Sequence, residues 1–113
     1  MYLVRDIMYC KPGKVRPMIE KYLQMSKLSE KAGMGKMRVL TDVVGEQYWT
    51  IIGEMEVESL DKFMSMDTGM DPELAKQFET IMKDYHDYIV KGRREIFKTE
   101  GAGLCHRLGR MGR

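Results

Sequence analysis

Residues 37 to 57, MRVLTDVVGEQYWTIIGEMEV, hold two runs rich in β-branched and aromatic residues on either side of a Gly45-Glu46 turn. Runs of that composition joined by so short a connection read as a β-hairpin. Segments of helical period flank the hairpin, and a strand-type run lies beyond each of them. The order strand-helix-strand-strand-helix-strand follows, and no other feature of the chain restricts its fold as strongly.

The outer strands and helices have their own signals. In YLVRDIMYC, Tyr2 to Cys10, alternation puts Leu3, Arg5, Ile7 and Tyr9 on one face and Tyr2, Val4, Asp6 and Met8 on the other. Both faces are mostly apolar, which marks a central strand covered on two sides. Lys11-Pro12-Gly13 breaks the run, and Val15, Met18, Ile19, Tyr22, Met25 and Leu28 then recur every three or four residues, predicting an amphipathic helix over about 13–32 that stops at Gly33 and Gly35. The hairpin strands are predicted at 37–44 and 47–57. In the second of them Trp49, Ile51, Met55 and Val57 share one face, while Tyr48, Thr50, Ile52, Glu54 and Glu56 share the other.

Ser59 is the N-cap type of residue for a short helix containing Leu60, Phe63 and Met64. Asp71-Pro72 restarts a helix with an N-cap followed by proline at the first helical position. Its stripe, Leu74, Phe78, Ile81, Met82, Tyr85 and Ile89, carries it to about Val90, with Gly92 as the cap and Arg93 to Thr99 as the fourth strand. Residues 100–113 hold four glycines and Arg107, Arg110 and Arg113, and read as a flexible basic tail beyond one domain at 1–99.

Two split β-α-β units joined by a hairpin make an α+β, ferredoxin-like sandwich, with an antiparallel four-stranded sheet and the helices on one face. Right-handed crossovers put the first and third strands at the centre. Their second apolar face then needs a cover, and a second copy of the chain supplies one. The expectation is a homodimer in which two sheets close into a barrel, a dimeric α/β barrel.

Composition removes several function classes. With 19 Lys and Arg against 17 Asp and Glu the net charge is +2, so no nucleic-acid partner is expected. No stretch approaches the roughly 18 consecutive apolar residues of a membrane span, and a cytoplasmic protein with no membrane contact is expected. Cys10 and Cys105 are far apart, and with His86 and His106 they lack metal-ligand spacing, so neither a disulfide nor a metal site is expected. The twelve methionines are read as core filling. No catalytic Ser-His-Asp order, phosphate-binding glycine loop or Cys-x-x-Cys pair occurs.

KPGK at Lys11 to Lys14, VLTDVVGE at Val39 to Glu46, ESL at Glu58 to Leu60 and GRREIF at Gly92 to Phe97 resemble the NIPSNAP-like branch of the dimeric α/β-barrel proteins over about residues 2–98. The resemblance implies a ferredoxin-like protomer that dimerises sheet to sheet. It also implies kinship with antibiotic-biosynthesis-type monooxygenases, heme-degrading enzymes and chlorite-dismutase-like proteins.

Two residue groups are the candidate sites. Arg5 lies in a central strand, where a charge needs a partner, and Glu54 and Glu95 on the neighbouring strands are its candidates. The other group follows from the resemblance, which implies a cavity between helices and sheet lined by Asp6, Trp49, Tyr85 and His86. Asp6 stands where heme degraders carry an amide, so no heme or other cofactor is expected. Three functions follow: a protein binding a small apolar molecule between sheet and helices, a cofactor-independent monooxygenase acting on a small aromatic substrate, or an interaction module whose pocket is filled by its own side chains.

Overall fold

The computed structural model describes residues 1–101, so the predicted tail from residue 102 on, with Cys105 and His106, lies outside the described residues. Strand β1 (Tyr2–Cys10) leads into helix α1 (Val15–Lys31), followed by β2 (Met37–Thr41), β3 (Thr50–Val57), α2 (Leu60–Met64), α3 (Met66–Gly69), α4 (Pro72–Ile81) and β4 (Ile89–Lys98). The strands pair antiparallel in the order β2-β3-β1-β4. This is the ferredoxin-like α+β arrangement, with β1 and β3 central as the sequence predicts. Among the described residues no helix is long and apolar enough to cross a membrane.

Local chemistry explains the boundaries. Helix α1 presents Met18 and Tyr22 to the sheet and ends where Gly33 takes a φ of 75°, with its N–H bonded to Glu30 O at 3.1 Å. Ser59 accepts a hydrogen bond from Lys62 N at 3.3 Å to start α2, and Asp71 accepts one from Leu74 N at 3.4 Å to start α4. Cys10, Met18, Tyr22 and Ile51 form the buried cluster between α1 and the sheet, with Met8, Met37, Tyr85 and Ile89 packed around it.

Gly53 on β3 lets the helix layer come this close. A Cβ there would stand 3.1 Å from both Met37 Sδ and Tyr22 Cε2, so the ring rests on the strand backbone. Gly53→Val is expected to cost about 2 kcal/mol in urea unfolding through overpacking. A variant as stable as the parent would mean that the strand preference of valine outweighs that contact.

Three predicted boundaries are corrected, the first being the start of the fourth strand, which lies at Ile89 and not at Arg93. The second long helix ends at Ile81 rather than near Val90, because Lys21 Nζ bonds Ile81 O at 2.9 Å and Lys83 O at 2.7 Å and Asp84 turns the chain with a φ of 65°. A 3-10 turn, Tyr85–Asp87, precedes β4. Tyr85 and Ile89 fitted the helical stripe because both still reach the core, one from the turn and one from the strand. Gly92 caps no helix: it lies inside β4 opposite Met8, whose Sδ would be 2.5 Å from any Cβ there.

The hairpin is also shorter than predicted. Pairing of β2 with β3 stops at Thr41↔Ile51, and residues 42–49 form an open loop in place of a tight turn. Asp42 closes its base by accepting from Thr50 N at 2.8 Å, while Thr50 Oγ1 donates to Gln47 O at 2.9 Å. Trp49 precedes the strand with a φ of 59° and takes no alternating place in it.

Candidate functional site

The sheet has two unlike faces. Met8, Cys10, Ile51, Gly53 and Met37 look toward the helices, and Arg5, Ile7, Tyr9, Ile52, Glu54, Leu40, Arg93 and Glu95 occupy the other face, which no helix among the described residues covers.

The space between sheet and helices is occupied by side chains. Met18 and Ile51 have no exposed surface, and Tyr22 retains only 3%. Burial raises the Tyr22 phenol above its ordinary range, with the Asp6 carboxylate adding to the effect. Burial likewise raises the Cys10 thiol, Asp42 adding to it, which favours the neutral form of this packed side chain.

Asp6, Trp49, Tyr85 and His86 do not line one cavity. Asp6 accepts from Arg94 Nε at 2.6 Å and Nη2 at 3.3 Å. Trp49 is half exposed at the mouth of β3, tilted against Tyr48 with ring centroids 6.0 Å apart. Tyr85 packs on the core edge and its ring lies 3.9 Å from that of His86, which is exposed. His86 sits in the 3-10 turn, not on the long helix where the sequence reading put it.

Arg5, Glu54 and Glu95 are brought together. Arg5 Nε donates to Glu54 Oε2 at 2.9 Å, and Arg5 Nη1 lies 3.9 Å from Glu95 Oε1. Glu54, only 4% exposed, also accepts from Arg38 on β2. The sequence reading missed Arg38, although it stands beside Glu54 once β2 and β3 are registered.

Beside this row a groove of about 490 Å³ opens on the helix-free face. Ile7, Leu40 and Ile52 line it with apolar surface, the 42–47 loop forms one wall, and Tyr9 and Arg93 stand across from it. Arg93 Nη1 donates to Tyr9 Oη at 2.6 Å and Arg93 Nε to Glu95 Oε2 at 3.1 Å. Such a surface suits a flat, mostly apolar molecule with one or two polar atoms. Among the described residues no cluster of His, Cys, Asp and Glu is composed to hold a metal ion.

A four-stranded antiparallel sheet with helices on one side is a ferredoxin-like arrangement, and solved structures share that fold. A NIPSNAP domain protein from Burkholderia xenovorans superposes with a TM-score of 0.67 at 14% identity, over 89% of this chain and 96% of that one. A NIPSNAP family protein from Agrobacterium tumefaciens gives 0.66 at 15% identity, over 88% and 93%. A protein of antibiotic biosynthesis monooxygenase type from Deinococcus radiodurans gives 0.61 at 8% identity, over 89% and 94%. No family model and no curated protein matches the sequence. The fold resemblance to NIPSNAP-like proteins is thereby matched in three dimensions.

Proposed function

We propose that the chain is a homodimeric small-molecule-binding protein that holds a largely apolar ligand in the groove of its helix-free sheet face, where two copies meet. The groove itself carries this reading: its apolar surface from Ile7, Leu40 and Ile52 lies on a face that no helix among the described residues covers, whereas side chains fill the space between sheet and helices. Leu40 and Phe97 remain 38% and 48% exposed on that face, and a second sheet would bury them.

Sedimentation equilibrium at micromolar concentration is expected to give twice the 13.2 kDa chain mass, and a monomer would overturn the dimer. For the groove, 8-anilinonaphthalene-1-sulfonate is the probe. Ile52→Glu sets an unpaired charge in the apolar lining and should weaken probe binding about tenfold or more. Unchanged binding would remove the groove as the site.

A second reading, oxygenation of a small aromatic substrate without a cofactor, is supported by the shared fold with the Deinococcus radiodurans protein of antibiotic biosynthesis monooxygenase type. It requires oxygen consumption with an electron-rich aromatic. Asp6, Trp49, Tyr85 and His86 lend it no common cavity.

A further inference from the structure

Four charges of alternating sign cross the helix-free face in one row. Arg38 on β2, Glu54 on β3, Arg5 on β1 and Glu95 on β4 stand at directly opposed register positions. Adjacent members are hydrogen-bonded or ion-paired within the chain, Arg38 to Glu54, Arg5 to Glu54 and Arg5 to Glu95. With strands about 4.8 Å apart the row is roughly 14 Å long. Arg38 at one end keeps 73% of its side-chain surface, and Glu95 at the other, which also accepts from Arg93, keeps 30%, so both ends of the row are accessible to a partner.

An even alternating row has a symmetry consequence. Read from one end it runs plus, minus, plus, minus, and read from the other it runs minus, plus, minus, plus. A dyad lying in the interface, parallel to the strands and passing between β1 and β3, lays the row over its own reverse. Each charge then faces its opposite: Arg38 the partner's Glu95, and Glu54 the partner's Arg5. A dyad running along the row instead sets every charge against its own kind, which disfavours that pairing.

We infer that this row selects how a second copy docks: the two sheets meet about a dyad parallel to β1 and β3, with Arg38 and Glu95 as the specificity-determining pair between subunits. This rests on the homodimer proposed above. The same operation keeps each strand end at the same end of the dimer and lays Ile7 over the partner's Ile52. The strands stay close to aligned, one of the two usual ways sheets pack. The two grooves then face one another, and each 42–47 loop covers the partner's β4 side.

Two single variants test the pairing. Arg38→Glu alone faces the partner's Glu95 at both symmetric contacts, and Glu95→Arg alone faces the partner's Arg38 at both. Each is expected to dimerise at least about tenfold more weakly than the parent, while an equimolar mixture of the two recovers dimers as heterodimers, read by native mass spectrometry. Singles that dimerise as tightly as the parent, or a mixture that fails to recover, would overturn the inference. A monomeric parent would instead overturn the dimer beneath it.

Should a single variant not fold, as judged by circular dichroism, the fully inverted chain R5E/R38E/E54R/E95R preserves the alternation within the protomer. It is expected to form homodimers that exchange with the parent at least about tenfold below the statistical share. Statistical or preferred exchange would overturn the inference.

Discussion

Met18→Ala is expected to lower the free energy of unfolding by about 3 kcal/mol, measured by urea denaturation at equal protein concentration. Met18 has no exposed surface and sits in the buried cluster with Cys10, Tyr22 and Ile51, so truncation removes packing from the middle of the layer between α1 and the sheet. Met8 and Met37 border the cluster, and flexible thioethers can move into part of the space, which keeps the loss in the lower half of the range for such truncations. Met64, 67% exposed on α2, is the control, and its alanine variant should change stability by less than about 0.5 kcal/mol. A loss below about 1 kcal/mol for Met18→Ala would mean that this layer is not closed. It would return the space between sheet and helices to contention as the ligand site.

Arg5→Ala is expected to cost about 2 kcal/mol, while Arg38→Ala costs less than about 1. Removing one member of a fully buried pair costs about 3 to 5 kcal/mol because a carboxylate is left alone in a poor dielectric. Two facts reduce the figure here. Glu54 keeps Arg38 as a second partner, and the Arg5 side chain is itself 32% exposed. The same substitution also removes the guanidinium that stands 5.3 Å from the centre of the Phe97 ring. Equal losses from Arg5→Ala and Arg38→Ala would show that Glu54 is shielded equally by both, contrary to the central position of β1. Losses near zero for both would show Glu54 to be solvated.

The strands of this protein are legible because alternation and β-branched content are local properties of the chain. Tyr2–Cys10 was readable to the residue, and the pairing of Arg5 with Glu54 and Glu95 followed from strand order alone. Helix α1 was equally plain from its period, its Pro12-Gly13 break and its Gly33 stop. The stretch from Lys83 to Gly92 was misread because Tyr85 and Ile89 satisfy two geometries at once. A residue four places on lies on the same face of a helix, and here a turn followed by a strand returns it to the same core. Nothing local distinguished them. The carbonyl-capping Lys21 that ends α4 comes from about 60 residues away.

The site shows the same division. Residue types and spacing were enough for the fold class, the central position of β1 and β3, and the ion pair across their register, since backbone hydrogen bonding and face alternation follow from the chain itself. Only the tertiary structure decided where empty space remains. Gly53 brings Tyr22 down onto the sheet and the methionines fill around it, while the 42–47 loop stands off from β2 and β3 and leaves a groove on the opposite face. Cavities are the residue of packing many side chains from distant segments, and no periodicity in a single segment records that sum.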